Sequence, residues 1–161
     1  MLDVMSGGRL IAGFMRGIPH EYVAYNMPPD ESWGRLAEAH ELIIKAWTEP
    51  TPFGWEGKYY QYRAVSIWPR PFQKPHPPVL MSASSPESAR FAAERRAIMG
   101  MVMLTDLASA KESIRVYRET ARAAGWEPGS ARHPEKNPSS FLSSGSRRDT
   151  AVRRIPLGPE D

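Results

Sequence analysis

Short apolar runs separated by longer amphipathic stretches dominate the first 125 residues or so. Residues 10–15, 79–83 and 99–104 are continuous or nearly continuous apolar runs of strand length, and the first of them lies between Gly7-Gly8 and Gly17. Runs of this length without alternation are typical of strands that are buried on both faces. The sequence therefore predicts three buried strands.

Amphipathic stretches follow these runs. Ser32 is predicted to cap a helix that extends to about Trp47, with a mainly apolar face that also includes one histidine; its residues are Leu36, His40, Ile43, Ile44 and Trp47. Ser85 at the N-cap and Pro86 at the first position predict a second helix that continues through residues 91–93. A Ser109/Glu112 capping box predicts a third helix that ends at Gly125.

Between the first two predicted helices, residues 53–62 carry aromatic side chains on both sides of Glu56-Gly57, which predicts a hairpin with its turn there. Proline-rich residues 68–78 predict a stiff, extended connection. The resulting order of elements is strand, helix, hairpin, strand, helix, strand, helix. This βα repetition predicts an α/β fold with a parallel sheet and helices outside it.

Composition divides the chain near residue 129. Residues 1–129 are predicted to form the folded domain, whereas residues 130–161 are rich in serine, proline and arginine and hold few apolar side chains. Such a segment buries too little apolar surface to offset the entropy of ordering. We therefore expect residues 130–161 to be a disordered tail.

The same composition excludes several classes of function. The 161 residues contain no cysteine, which rules out disulfides and cysteine-ligated metals and fits the reducing cytosol. A net charge of +3 predicts no nucleic-acid partner. No apolar run reaches the ~18 residues of a membrane span, and the start lacks a signal-peptide pattern. We expect a cytoplasmic protein with no membrane partner.

The sequence offers one arrangement with chemical potential. Phosphate-loop, dinucleotide, zinc-protease and nucleophile-elbow motifs are absent, and the four scattered histidines predict no metal site. Arg16 follows the first strand, and Ser84, Ser85 and Ser88 follow the second at a helix N-terminus, where free N–H groups favour anions. These side chains predict a phosphate site. Alternatively, Ser85 only caps its helix and Arg16 only pairs with Glu21 or Asp30.

Four segments carry a resemblance to a known family. Residues 2–10, 13–17, 55–60 and 68–79 together resemble the bacterial luciferase-like flavin-dependent monooxygenases. Residues 16–22 are most similar to members near the alkanal monooxygenase branch, which use reduced FMN and dioxygen. The resemblance extends over about residues 1–125.

This resemblance implies a TIM (β/α)8 barrel with FMN at the carboxyl edge of its strands. It assigns the flavin phosphate to Arg16, Ser84, Ser85 and Ser88, and less directly to Arg35. Its implied partners are a small organic substrate such as an aldehyde, a flavin reductase and a second barrel subunit. The catalytic residues stay unassigned, because the family's catalytic histidine belongs to strands that have no counterpart in this chain.

The matching strands correspond roughly to the fourth, fifth and sixth of the barrel, and a complete barrel takes about 250 residues. We therefore expect a partial barrel, a fragment with little independent activity. Two alternatives stay open. One is a deazaflavin-dependent hydride-transfer oxidoreductase, and the other is a non-catalytic barrel fragment that pairs with another subunit.

Overall fold

A computed structural model describes residues 1–101 and 106–128. It contains five α-helices, five strands and a short 3-10 turn in these residues. The helices are α1 Leu2–Met5, α2 Pro19–Ala24, α3 Ser32–Thr48, α4 Pro86–Glu94 and α5 Leu107–Ala123. The strands are β1 Ala12–Phe14, β2 Phe53–Glu56, β3 Gln61–Val65, β4 Val79–Ser82 and β5 Ile98–Gly100, and the 3-10 turn is Pro29–Glu31.

The three predicted strands form one parallel sheet in the order β1-β4-β5. Strand β1 is only partly buried, because it has one neighbour in the described sheet, so its predicted burial on both faces was wrong. Its register aligns Phe14 with Met81, and Met81 with Met99. Strands β2 and β3 form a separate antiparallel hairpin between α3 and β4. The predicted α/β fold with a parallel sheet is confirmed. Because the strands are parallel, the carboxyl ends of β1, β4 and β5 lie at the same edge of the sheet.

Alanines form much of the core between the sheet and the last two helices. The buried cluster comprises Val79, Met81, Ala83, Ala89, Ala92, Ala93, Ala97, Tyr117 and Ala121. Small side chains on α4 let its backbone lie close both to the sheet and to α5. The position of α4, and therefore of its N-terminus, is fixed by this close packing.

Tyr117 is the largest polar side chain in this core, and its hydroxyl donates to the Ala97 carbonyl at 2.7 Å. Burial raises the pKa of Tyr117 to about 12, so the hydroxyl stays protonated at neutral pH. Tyr117→Phe should lower the free energy of unfolding by about 1–2 kcal/mol, because it leaves a buried carbonyl without this donor. Denaturant unfolding measures the change. The exposed Tyr62→Phe is the control, and equal effects of both variants would contradict this role for the hydroxyl.

The boundaries of several elements differ from the sequence predictions. Strand β1 spans three residues instead of the whole run 10–15, so Arg16 lies two residues beyond its end. Helix α5 begins at Leu107, because Asp106 accepts the Ser109 N–H at 2.8 Å and the Ser109 hydroxyl at 2.6 Å. The predicted Ser109/Glu112 capping box was therefore wrong, and Glu112 pairs with Arg115 instead.

Two further predictions of local structure were wrong. Ser32 is the first residue of α3 and does not cap it, since its hydroxyl donates to the Pro29 carbonyl at 2.6 Å. The hairpin turns at residues 57–60, where the Gly57 N–H donates to the Tyr60 carbonyl. The turn was predicted two residues earlier, with its centre at Glu56-Gly57 instead of residues 58 and 59. In contrast, Ser85 caps α4 and Pro86 opens it, as predicted.

Helices α1 and α2 were not predicted, because each is shorter than the window in which helical periodicity shows. The end of the third predicted strand, residues 102–105, and the predicted disordered tail 130–161 lie outside the described residues. Within the described residues, no helix combines the length and apolar character that crossing a membrane requires.

Candidate functional site

The parallel register brings Arg16 and the serines after β4 to one edge of the sheet. Phe14 and Met81 are aligned, Arg16 lies two residues beyond Phe14, and Ser84 lies three residues beyond Met81. In α/β folds this carboxyl edge is where ligands bind. We name Arg16, Ser84, Ser85 and Ser88 the carboxyl-edge group.

Ser85 and Ser88 form a reciprocal cap at the start of α4. The Ser88 N–H donates to Ser85 Oγ at 3.2 Å, and the Ser85 N–H donates to Ser88 Oγ at 3.0 Å. The Ser84 hydroxyl has no hydrogen-bond partner among the described residues, and neither has the Glu87 N–H. The nine-residue helix thus presents an unpaired N–H, a free hydroxyl and the positive end of its dipole at this edge.

The side chain of Arg16 is held by an aromatic ring. Its guanidinium carbon lies 4.6 Å from the centre of the Trp33 ring. The centre of the Trp33 ring in turn lies 5.3 Å from the centre of the Phe91 ring of α4. The predicted alternative that Arg16 pairs with Glu21 or Asp30 was wrong. Glu21 accepts the Ile18 N–H instead, and no ion pair to Arg16 occurs among the described residues. Its charge is therefore available to an anion.

Arg35 has a different environment. It forms an ion pair with Glu31 at 2.7 Å and lies 5.1 Å from the centre of the Tyr59 ring. The Glu31 carboxylate raises the pKa of Arg35 and compensates its charge. Among the described residues, Arg35 forms no hydrogen bond or ion pair with the α4 N-terminus. Its part in phosphate binding stays a prediction.

Arg16 and Arg35 nevertheless line the same cavity, which has a volume of about 530 Å³. The cavity lies between α3 and β1, on the side of β1 that has no neighbouring strand among the described residues. Its walls are mainly apolar, with Leu36, Ile43 and Trp47 from the predicted apolar face of α3. The cavity therefore joins an apolar wall to two arginines.

Glu38 fixes the hairpin against α3 beside this cavity. Its carboxylate accepts the Tyr59 and Tyr60 N–H groups, both at 2.9 Å, and the Trp55 indole N–H at 3.1 Å. Burial alone would raise the pKa of Glu38, but these donors outweigh it and lower the pKa. Tyr60, which lines the cavity, is thereby held in place. No local pattern marked Glu38 as a functional residue, because a glutamate within a helix resembles a solvent-exposed residue.

Comparison with known proteins places this chain in a family. The family model described as luciferase-like monooxygenase matches residues 1–156, which includes most of the predicted tail. The oxygenase component of the flavin-dependent trigonelline monooxygenase of Acinetobacter baylyi is 30% identical over 97 residues, or 58% of this chain and 26% of that protein. Alkanal monooxygenase chains are also among the relatives, as the sequence resemblance predicted.

Solved structures agree with this match. Monooxygenase RslO1 from Streptomyces bottropensis superposes with a TM-score of 0.71 at 35% identity, over 80% of this chain and 40% of that one. The oxygenating constituent of 3,6-diketocamphane monooxygenase of Pseudomonas putida, solved in complex with FMN, gives a TM-score of 0.68 at 23% identity, over 81% and 40% of the two chains. At that identity, the second likeness shows the fold alone.

The matches cover most of this chain but a minor part of its relatives. The chain spans less than half the length of each of the curated relatives that it matches. Since the family model covers nearly all of the sequence, partial coverage of the relatives does not weaken the assignment. The chain belongs to the luciferase-like monooxygenase family, whose relatives of named activity are flavin-dependent monooxygenases.

Proposed function

We propose that this chain forms the phosphate-binding side of the FMN site in a flavin-dependent monooxygenase that uses dioxygen on a small organic substrate, for which an aldehyde is one candidate. Arg16, Ser84, Ser85 and Ser88 hold the phosphate, and Arg35 assists from the neighbouring cavity. The alignment of β1 with β4 carries the proposal, because it brings Arg16 and the α4 N-terminus to the same edge.

The residues of the carboxyl-edge group fit a phosphate. Arg16 has no ion-pair partner among the described residues, and guanidinium groups bind phosphate oxygens in a fork geometry. The free Ser84 hydroxyl and the free N–H of the first turn of α4 add donors, and the helix dipole favours the negative charge. Ser85 and Ser88 already bond each other, so each contributes only by redirecting its hydroxyl.

Bound reduced flavin supplies the electrons that activate dioxygen. The residues of this chain orient the cofactor through its phosphate. The apolar wall of the 530 Å³ cavity excludes water, with Leu36, Ile43 and Trp47 in it. Glu38 keeps Tyr60 and the hairpin fixed beside that wall. This chain thus positions the cofactor and excludes water from the cavity beside it.

We further propose that the described residues are part of a (β/α)8 barrel. Strands β1 and β5 each have one neighbour in the described sheet, which leaves two sides for further strands. The family's barrel needs about 250 residues.

A flavin reductase is a proposed partner of this protein, since the relative from Acinetobacter baylyi is the oxygenase component of its monooxygenase.

Titration of the full chain with flavins tests the phosphate site. FMN should bind about 10–100-fold more tightly than riboflavin, which lacks the phosphate, because hydrogen bonds to a charged group contribute about 1.5–3 kcal/mol. Quenching of flavin fluorescence measures both affinities. Equal affinities would contradict the proposal. Tighter binding of a deazaflavin cofactor than of FMN would favour the hydride-transfer alternative.

One observation favours a second candidate, a non-catalytic barrel segment that pairs with another subunit. The outer side of β1 is unpaired in the described sheet, and the apolar cavity lies along it. Exposed strand edges pair readily with other chains. A defined oligomer without affinity for either flavin would support this candidate over the FMN site.

A further inference from the structure

A second cavity, of about 450 Å³, lies at the opposite edge of the sheet from the carboxyl-edge group. Val79, the first residue of β4, lines it, and so does Arg96, two residues before β5. We name it the amino-edge cavity. Its full lining is His40, Ile44, Gln73, Lys74, Pro75, His76, Pro78, Val79, Arg95 and Arg96.

The lining of the amino-edge cavity is rich in basic groups and contains no carboxylate. Lys74 donates to the Pro71 carbonyl at 3.1 Å, which holds its ammonium group in place without neutralising it. Arg95 is partly compensated by Glu94, at 3.6 Å, and the Arg96 side chain has no partner among the described residues. The cavity therefore keeps an excess of positive charge.

His40 adds an unused polar atom. Its Nδ1 is buried and has no hydrogen-bond partner among the described residues. Burial, together with the charges of Arg95 and His76, lowers the pKa of His40 to about 4. The imidazole is thus neutral at pH 7. A buried polar atom without a partner is destabilising unless a water or a ligand atom satisfies it.

The backbone conformation of Arg96 also supports a role for its side chain in this cavity. Arg96 has a φ of +52°, in the left-handed region. Arg96 follows the end of α4. Its N–H donates to the Ala93 carbonyl, and the Ala97 N–H donates to the Ala92 carbonyl. Glycine is the usual residue in this position, and a side chain there costs about 1 kcal/mol. Arg96 therefore destabilises the fold slightly. A contact between its side chain and a ligand would account for an arginine at this position.

We propose that the amino-edge cavity binds a small organic phosphate ester. Lys74 and Arg96 contact the phosphate, the His40 ring forms part of the wall, and the apolar residues Ile44 and Val79 cover the organic part of the ligand. Arginine and lysine are the usual phosphate-binding residues. The volume lies within the range of small-molecule pockets and exceeds what a phosphate alone fills.

Isothermal titration of the full chain with phenyl phosphate tests this site. Phenyl phosphate should bind at least 10-fold more tightly than inorganic phosphate, because of the apolar wall, and also more tightly than benzoate, because of the double negative charge. Equal affinity for inorganic phosphate would overturn the organic part of the proposal. Equal affinity for benzoate would overturn the preference for phosphate.

The Arg96→Gly variant separates binding from folding. Glycine relieves the left-handed backbone, so the melting temperature should stay the same or rise, while the affinity for phenyl phosphate should fall at least 10-fold. Unchanged affinity in this variant would overturn the proposal.

Two control variants locate the binding. Arg118→Ala removes a basic side chain of α5 that lies outside the cavity and should leave the affinity unchanged. Ser85→Ala changes the carboxyl-edge group, which is itself proposed to hold a phosphate, so it is the contrast variant and the titration is run with FMN in excess to fill that group. If Ser85→Ala abolished binding of phenyl phosphate and Arg96→Gly did not, the ligand would occupy the proposed flavin site, which would overturn the proposal.

Discussion

Replacing Asp3 by alanine should lower the free energy of unfolding by about 3 kcal/mol, through the loss of charge-assisted hydrogen bonds at a buried site. Asp3 is 4% exposed. Its Oδ2 accepts the Gln73 backbone N–H at 2.9 Å, and its Oδ1 accepts the Gln73 amide at 2.8 Å. The same amide donates to the Leu10 carbonyl at 2.9 Å. One carboxylate thus joins α1, the approach to β1 and the segment before β4.

The pH dependence of stability gives a second readout for Asp3. Burial alone would raise the pKa of Asp3, but the hydrogen bonds from Gln73 outweigh it and lower the pKa below its ordinary value. The unfolded chain then binds more protons, so the stabilisation is complete above about pH 4 and is lost as the pH falls through the folded-state pKa. Chemical denaturation of Asp3→Ala should show a shallower loss of stability in acid than the unchanged chain.

Two variants serve as controls for Asp3→Ala. Asp3→Asn keeps one acceptor oxygen and should lose less stability than the alanine variant. Asp30→Ala removes an exposed carboxylate of the 3-10 turn and should change stability by less than about 0.5 kcal/mol. A loss for Asp3→Ala no larger than for Asp30→Ala would show that the contacts to Gln73 do not stabilise the fold.

The sequence predicted features that depend on neighbouring residues. The start of α4 was predicted because Ser85, Pro86 and Glu87 are consecutive and their preferences for the N-cap, the first position and the first turn agree. The start of α5 was missed because two local signals compete there, and Asp106 accepts the Ser109 N–H that the predicted capping box would have bonded to the Glu112 side chain. Local signals predict a helix more reliably than they predict its first residue.

Contacts between residues that are far apart in the chain could not be predicted from the sequence. Asp3 and Gln73 are 70 positions apart, and Glu38 and Tyr60 are 22 positions apart. No local pattern marks either carboxylate as an acceptor inside the fold. The alignment of Arg16 with the serines was predictable, because βα order alone puts the ends of parallel strands at one edge. The ring of Trp33 beneath Arg16 was not, since it depends on how α3 packs.

Replacing Arg16 by alanine should weaken FMN binding by about 10–100-fold, because one guanidinium contact to a phosphate contributes about 1.5–3 kcal/mol. Arg16 has no ion-pair partner in the described structure, and Trp33 holds its guanidinium at 4.6 Å. The side chain is therefore both charged and partly ordered before the cofactor binds. Riboflavin affinity should stay unchanged in the same variant, since riboflavin lacks the phosphate.

Arg9→Ala is the matched control, because Arg9 is an exposed arginine that uses only its backbone N–H in a hydrogen bond. It removes the same charge and should leave FMN affinity within about twofold of the unchanged chain. Arg16→Lys keeps the charge without the fork geometry and should fall between the two. Equal weakening by Arg9→Ala and Arg16→Ala would mean that net charge attracts the cofactor. In that case Arg16 does not contact the phosphate, and the carboxyl edge loses its assignment as the flavin site.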